Sequence, residues 1–341
     1  MYDYSMQTKE IINNLSLKQK IKQLFIVGFE GEEPDNCDVF QTFLKDGLGG
    51  VIFFTQNIKT KKQFKKIIQK IKTTALIPPF LSIDQEGGRV ERTENIHNGK
   101  KYLSAHSAAE KGIDFLKNQT KEMAKELFEY GINMNFAPVL DVNTNDNSPI
   151  IGERAFSSKT QEVIDFSKIV IDEHFKQHII PVGKHFPGHG DAGVDSHLDL
   201  PTIDLSMKEL EKTHVKPFKE SINNKIPAIM VAHVHYPCFD NNKIPASMSK
   251  NIIDRYLINK LEFKGIIISD DMVMGAIKGF EPVEACIQAI NAGINMFIFR
   301  NCDETVTMIV NELEKAIKTG LIKEDVIDNS LNKIFKLKKN L

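Results

Sequence analysis

The fold is indicated most clearly by the sequence GIIISDD, which occupies residues 265–271. Three isoleucines between a glycine and two aspartates have the length and the β-branched composition of a strand that is buried on both faces. Seven further apolar runs of this kind occur along the chain. The eight predicted strands comprise residues 23–29, 49–54, 79–84, 132–142, 180–186, 227–233, 265–271 and 295–300.

The segments between these runs have helical spacing. In KKQFKKIIQKIK (61–72) the apolar residues recur at i, i+3, i+4 and i+7, which gives an amphipathic helix its buried stripe. Glycines at 131, 293 and 320 lie where helices are expected to end. The other predicted helices lie within 104–130, 158–178, 206–224, 249–262, 282–292, 303–318 and 323–340.

Regular alternation of eight strands with helices predicts a (β/α)8 TIM barrel. We expect one catalytic domain over residues 1–341, with the extra C-terminal helix at 323–340 packed on the outside. A doubly wound open sheet is the structural alternative, but no GxGxxG motif follows the first strand.

Composition narrows the classes of function. A net charge of -1 gives no uniform field for nucleic acid or anionic lipid, so we expect no nucleic-acid partner. The N-terminal residues do not resemble a signal peptide, and no apolar run reaches membrane-spanning length, which predicts a cytoplasmic protein without a membrane partner. Cys37, Cys238, Cys286 and Cys302 are scattered, which favours reduced thiols over a disulfide framework.

Charged and polar residues follow five of the predicted strands. In a TIM barrel the C-terminal ends of the strands carry the active site, so we expect these side chains to converge there. Each residue could alternatively be a strand-end cap or a satisfied buried polar group. The residues are Asp84, Asp141, Lys184, His185, His233, His235, Asp270 and Asp271.

The loop after the fifth strand, KHFPGHGDAGVDSH (184–197), is dense in titratable groups and glycines. Asp195 and His197 are two residues apart, a spacing at which a carboxylate can accept an imidazole N–H and raise the basicity of the other nitrogen. We interpret this pair as a general acid/base. Two alternatives remain: a loop whose histidines are bonded internally, or a zinc or iron site. The candidate metal set comprises His185, His189, Asp191, Asp195 and His197, with His233 and His235 as additional ligands.

Several motifs in this chain, taken in order, resemble those of family 3 glycoside hydrolases, and the PGHG loop ending in DSH is similar to that of the bacterial NagZ-type β-N-acetylhexosaminidases. The resemblance runs from about residue 15 to residue 300. The motifs are LSIDQEGGRVER (81–92), FAPVLDV (136–142), IGERAF (151–156), GKHFPGHG (183–190) with DSH (195–197), and GIIISDDMVMGAI (265–277).

The resemblance implies a role for each matching residue. Asp270 matches the catalytic nucleophile, His197 the general acid/base and Asp195 its dyad partner, whereas Asp271 is expected to be structural. The positions that match the family's sugar contacts are Asp84, Arg92, Arg154, Lys184 and His185.

The implied function is a retaining exo-β-N-acetylglucosaminidase that removes terminal β-linked N-acetylglucosamine, with muropeptides of cell-wall recycling as substrates. We expect a monomer that needs no metal or other cofactor. Four alternatives stay open: a β-N-acetylglucosaminide phosphorylase, a β-glucosidase of broader specificity, a noncatalytic barrel that binds amino sugars, and a metal-dependent hydrolase. The sequence assigns no role to Asp141, Glu86, Glu153, His189, His233 or His235. Asp141 either touches a sugar or pairs with Lys184, and Arg89, unlike Arg92, matches no sugar contact of the family.

Overall fold

Eight parallel strands close into a barrel in chain order, so the predicted TIM barrel is confirmed. The structure is a computed structural model that describes residues 8–97, 100–145, 148–193 and 199–339. Each predicted strand contains an observed one. The strands are β1 (Phe25–Val27), β2 (Gly50–Phe53), β3 (Phe80–Ile83), β4 (Met134–Asn135), β5 (Ile180–Phe186), β6 (Ala228–Val231), β7 (Ile266–Asp271) and β8 (Met296–Phe299).

The helices surround the barrel, and two segments have π-helical hydrogen bonding: Glu211–Val215, between α8 and α9, and Asn251–Lys260. The α-helices are α1 (Thr8–Asn13), α2 (Leu17–Lys22), α3 (Asp38–Lys45), α4 (Lys61–Thr74), α5 (Ala105–Glu110), α6 (Ile113–Tyr130), α7 (Thr160–Lys176), α8 (Met207–Leu210), α9 (Lys216–Asn223), α10 (Pro282–Ala292), α11 (Glu304–Lys318) and α12 (Glu324–Lys338).

The barrel closes through the pairing of β8 with β1, in which Phe25 lies beside Phe297 and Val27 beside Phe299. Their side chains, together with those of the other strands and the inner faces of the helices, form one continuous apolar core. Helix α4 shows how the sequence pattern produces this packing: its stripe of Phe64, Ile67, Ile68 and Ile71 is buried.

Three sequence predictions need correction in detail. The regular part of the fourth strand ends at Asn135, well before the predicted end at 142; Pro138 has no N–H to donate to a ladder, and beyond it an isolated bridge pairs Val139 with Lys184. The predicted helix at 104–130 is two helices, separated at Gly112, whose φ of 95° lies outside the helical region. Helices α1, α2 and α3 had no counterpart in the sequence prediction.

Helix α12 confirms the predicted extra C-terminal helix, but its last turn is more deeply buried than a position on the outside implies. The helix packs against α1 and α2. Lys338 is 1% exposed and lies over the rings of Phe80 and Phe335, 5.1 Å and 5.8 Å from their centroids. Its Nζ donates to Gln23 Oε1 at 2.9 Å, so a cation is buried at the N-terminal end of the barrel.

Among the described residues, no helix is long and apolar enough to cross a membrane.

Candidate functional site

A cleft of about 200 Å³ opens at the C-terminal end of the barrel, where the TIM-barrel rule predicts the active site. Apolar side chains, including Met230, Met274 and Ile298, form part of its wall. Six of the eight predicted site residues line it together: Asp84, Arg92, Arg154, Lys184, His185 and Asp270. The other two, Asp195 and His197, lie outside the described residues.

Four charged side chains form one ion-pair network at the ends of β3 and β5. Lys184 Nζ lies 2.7 Å from Asp84 Oδ1 and 2.5 Å from Glu86 Oε1. Arg154 binds both oxygens of Glu86, through Nε at 2.9 Å and Nη2 at 2.8 Å. Such a bidentate pair fixes the guanidinium plane, so Arg154 and Lys184 are held in place before any ligand binds.

The charge state of Glu86 follows from this network. Burial by itself raises the pKa of a carboxyl group, but the two cations Arg154 and Lys184 outweigh it and hold the pKa of Glu86 far below its ordinary value. The same carboxylate raises the pKa of Arg154 against the opposing effect of burial. Glu86 and Arg154 are therefore both ionised at neutral pH.

Arg92 reaches the cleft from the loop after β3. Its Nη2 is 3.9 Å from Asp84 Oδ2, and its guanidinium lies over the ring of Phe54, 5.9 Å from the centroid. Its Nε is buried and has no hydrogen-bond partner among the described residues. The Arg92 side chain as a whole is partly exposed and lines the cleft, so its other N–H groups can donate to an oxygen of a ligand.

His185 is oriented by Asp141, which lies near the end of the fourth predicted strand. Asp141 Oδ2 accepts a hydrogen bond from His185 Nδ1 at 2.7 Å, and Oδ1 accepts one from the backbone N–H of His189 at 2.7 Å. Burial alone raises the pKa of Asp141, but His185 and His189 lower it. Because Nδ1 carries the proton, His185 Nε2 is available as an acceptor toward Arg154 Nη2, 3.4 Å away.

Asp270 is the carboxylate of the cleft that its surroundings leave most free to react with a ligand. Its Oδ1 accepts a hydrogen bond from the backbone N–H of Asp271 at 2.8 Å. Within the described part of the chain it has no ion pair. Burial raises its pKa, but His185, His233 and Lys184 outweigh that effect and lower it, so Asp270 is ionised at neutral pH.

Asp271 follows on β7 and is held by β8. Its Oδ2 accepts from Arg300 Nε at 2.7 Å, and its Oδ1 accepts from the backbone N–H of Val273 at 3.2 Å. Both neighbouring aspartates line the cleft, and the register of β7 against β8 shifts between Ile268 and Asp271. These contacts agree with the structural role expected for Asp271.

The remaining histidines of the candidate metal set are engaged by protein groups. His233 Nε2 donates to the carbonyl oxygen of Asp271 at 3.2 Å while Nδ1 accepts from Ser247 Oγ at 2.7 Å, and burial lowers its pKa. His235 Nδ1 is 3.2 Å from the carbonyl oxygen of Ile244. Burial and the neighbouring His185 lower the pKa of His189 to about 4. Among the described residues, no three His, Cys, Asp or Glu side chains are grouped as a metal site.

The described start of the histidine-rich loop packs tightly on the barrel. Tyr236 donates its hydroxyl to the carbonyl oxygen of Gly188 at 2.8 Å, and Thr144 donates to Asp191 at 2.9 Å. A Cβ on Gly190 would lie 1.8 Å from the carbonyl oxygen of Val142, so only glycine fits there. The loop therefore leaves the barrel from a fixed base at residues 188–191.

Sequence reasoning left two contributors unassigned. Glu86 could have been predicted as a site residue, because it is two residues from Asp84 and an extended backbone places such side chains on the same side. Asp141 was expected either to touch a ligand or to pair with Lys184; it binds His185 instead. Arg89, given little weight, lines the cleft and donates to the carbonyl oxygen of Ile150. Glu153 is exposed.

Comparison with known proteins identifies the family to which this chain belongs. The family model "Glycosyl hydrolase family 3 N terminal domain" matches residues 16–337. A beta-hexosaminidase of Tolumonas auensis is 36% identical over 271 residues, which cover 78% of this chain and 80% of that protein. Beta-hexosaminidase A of Pseudoalteromonas piscicida is 31% identical over 326 residues, covering 86% of this chain and 54% of that protein.

Solved structures give the same result. A glycoside hydrolase family 3 beta-N-acetylglucosaminidase from Paenibacillus sp. superimposes with a TM-score of 0.90 at 34% identity, covering 96% of this chain and 62% of that one. The chain thus spans about half to four fifths of the length of these relatives.

Proposed function

Because the chain belongs to glycosyl hydrolase family 3, we propose that it is a retaining exo-β-N-acetylglucosaminidase that removes a terminal β-linked N-acetylglucosamine residue. The observation that carries the proposal is the ionised Asp270 at the wall of a cleft whose other polar groups are already ordered. The printed names of the relatives, beta-hexosaminidase and beta-N-acetylglucosaminidase, support the choice of an N-acetylated sugar.

Asp270 is the proposed nucleophile. Its carboxylate oxygen attacks the anomeric carbon as the bond to the leaving oxygen breaks, which forms a glycosyl ester with inverted configuration; water then breaks the ester with a second inversion. A carboxylate suits both steps because the transition states carry positive charge at the sugar. The lowered pKa of Asp270 keeps it in the nucleophilic, ionised form.

The ordered network supplies the proposed sugar contacts. Asp84 is held by Lys184, and its carboxylate can accept hydrogen bonds from sugar hydroxyls; Arg92, Lys184 and Arg154 can donate to sugar oxygens. A cleft of about 200 Å³ is smaller than the ~300–1,000 Å³ typical of larger ligands, which fits one terminal sugar residue. This size supports an exo-acting rather than a chain-internal enzyme.

His197 is the proposed general acid/base and Asp195 its partner. His197 protonates the departing oxygen in the first step and takes a proton from water in the second, while Asp195 orients the imidazole. The fixed base of the loop at residues 188–191 supports this assignment, since the segment that bears His197 starts there. The resemblance to the NagZ-type branch supports muropeptides as the substrates and the cytoplasm as the place of action.

One substrate panel tests the reaction and its specificity. Aryl β-glycosides that differ only at the 2-position should be cleaved in the order N-acetylglucosaminide far above glucoside, and the first sugar product seen by NMR should be the β-anomer. Equal rates on the two glycosides would replace the proposal by a broader β-glucosidase, and an α-anomer would exclude retention. Formation of a sugar 1-phosphate when inorganic phosphate is added would identify a phosphorylase.

A pair of neighbouring variants tests the nucleophile. Asp270→Asn should fold but lose turnover, because an amide cannot form the glycosyl ester. Rapid-quench mass spectrometry with an activated aryl N-acetylglucosaminide should show wild-type protein that carries one extra glycosyl residue and Asp270→Asn protein that does not. Asp271→Asn, whose side chain is held by Arg300, should still form the adduct. An adduct on Asp270→Asn would remove this residue from the role.

A further inference from the structure

Gln85 lies between the two carboxylates of the ion-pair network, at the exit of β3, and is 1% exposed. Its backbone is clamped by the side chain of Asn135 on β4. Asn135 Oδ1 accepts from Gln85 N at 2.9 Å, and Asn135 Nδ2 donates to the carbonyl oxygen of Gln85 at 2.9 Å. One amide group thereby satisfies both backbone groups of a residue that forms no ladder pair of β3.

The orientation of Asn135 is itself determined by a third buried residue, His174 of α7. His174 Nδ1 donates to the carbonyl oxygen of Val170 at 2.8 Å, and burial lowers its pKa to about 4, so the ring is neutral. Nε2 is then an acceptor, and the second N–H of Asn135 Nδ2 meets it at 2.9 Å. Rotating the Asn135 amide by 180° would break all three bonds, so the clamp has one stable arrangement.

The side chain of Gln85 extends the clamp to Arg92. Gln85 Oε1 accepts from the backbone N–H of Arg92 at 2.9 Å and from that of Thr93 at 3.3 Å. The guanidinium of Arg92 has weaker restraints, a 3.9 Å ion pair with Asp84 and a ring contact with Phe54. The position of Arg92 in the cleft is therefore determined mainly by the hydrogen bond from its backbone N–H to Gln85 Oε1.

We propose that Gln85, clamped by Asn135 and His174, is a positioning residue that sets Arg92 for sugar binding. The inference rests on the proposed function, because its consequence is measured as turnover of a β-N-acetylglucosaminide. Gln85 itself touches no sugar. Its contribution passes through Arg92, and the loss of Gln85 and the loss of Arg92 should therefore overlap.

A double-mutant cycle tests this overlap. Gln85→Met keeps the length of the side chain and the backbone bonds to Asn135, but it removes the acceptor for Arg92 N. We expect Arg92→Met to lower kcat/KM about 10- to 100-fold, the usual effect of a lost hydrogen bond to a charged group, and Gln85→Met, which removes neutral hydrogen bonds to the backbone, to lower it about 2- to 10-fold. The double variant should be no more than about twofold worse than Arg92→Met, because both changes remove one function.

Gln119→Met is the matched control. Gln119 accepts from Leu103 N at 2.9 Å and donates to Leu103 O at 3.0 Å, so it anchors the same connection between β3 and α5 through two backbone bonds. Among the described residues its hydrogen bonds go to Leu103 alone and to no proposed sugar-binding residue, although it lines a small cavity that Arg154 also lines. Gln119→Met should lose a comparable amount of stability in urea while its kcat/KM stays within about twofold of wild type.

The outcomes separate this inference from the proposed function. Multiplicative losses in the double variant, or a kcat/KM loss in Gln119→Met equal to that in Gln85→Met, would overturn the positioning role even if the wild-type protein is an N-acetylglucosaminidase. A wild-type protein without turnover would instead overturn the proposed function. If Gln85→Met does not fold, Gln85→Asn replaces it in the double-mutant cycle. Asparagine keeps a neutral amide but is one methylene shorter, so its oxygen lies farther from Arg92 N.

Discussion

Replacing Lys338 by methionine is expected to change the way in which stability depends on pH. Burial lowers the pKa of the Lys338 amine from 10.5 to about 7. The unfolded chain keeps its proton up to about pH 10.5, whereas the folded protein releases it near pH 7. Between these values the unfolded state binds more protons, so wild-type stability rises with pH; below pH 7 both states are charged and the full cost remains.

The size of the effect follows from the same two values. Each pKa unit corresponds to about 1.4 kcal/mol, so the buried amine costs about 5 kcal/mol at pH 6 and about 2 kcal/mol at pH 9. Methionine removes that cost, but it leaves Gln23 Oε1 without its donor, which costs about 2 kcal/mol at either pH; at pH 6 it also loses the contacts of the charged amine with the two rings, about 1 kcal/mol. The variant should be about 2 kcal/mol more stable than wild type at pH 6 and about equally stable at pH 9.

Urea unfolding followed by far-UV circular dichroism measures this difference, since the chain has no tryptophan to report by fluorescence. Lys336→Met is the control, because Lys336 is an exposed lysine in the same helix. It should leave the pH dependence as in wild type. Parallel stability curves for wild type and Lys338→Met between pH 6 and pH 9 would refute the reasoning, because the buried amine would then keep its proton in both states.

Three further outcomes are expected. Glu86→Gln leaves two buried cations without their carboxylate and should lower the free energy of unfolding in urea by about 3–5 kcal/mol. The control Glu153→Gln, at an exposed residue of the neighbouring loop, should lower it by almost nothing. Similar losses in the two variants would contradict the ion-pair network. His197→Ala should lower kcat/KM about 100- to 10,000-fold for poor leaving groups and far less for activated phenols, and adding Asp195→Ala should make little difference; equal losses on both substrates would place the acid elsewhere. Prolonged treatment with a chelator should leave turnover unchanged, and activity lost on chelation and restored by zinc would revive the metal hypothesis.

The sequence was sufficient to predict the barrel because strand and helix differ in period throughout this chain. Apolar runs such as GIIISDD can be buried on both faces, and the stripe of α4 repeats at helical spacing. The errors have local causes. Pro138 lies within the fourth predicted strand and has no N–H to donate, and Gly112 divides a helix that composition alone would continue.

The site was predictable only as a set of positions. Strand ends gave Asp84, Lys184 and Asp270, since all parallel strands of a barrel end at one face. The hydrogen-bond and ion-pair partners of these residues were not predictable, because they depend on the direction that each side chain takes beyond the end of its strand. Asp141 binds His185 and not Lys184 for this reason, and Glu86 lies between two cations that come from different connections of the barrel.

The shared carboxylate of Glu86 has a consequence for the divergence of related proteins. Lys184 and Arg154 both depend on it, and each of the three charges is buried. A single substitution at any of them leaves an uncompensated buried charge. A sequence in which only one of the three residues has changed is therefore unstable, even when a combination of changes gives a stable protein. These positions should therefore be inherited together or exchanged together, and the end of the barrel that carries the cleft should change more slowly in sequence than the helices for reasons of charge balance alone.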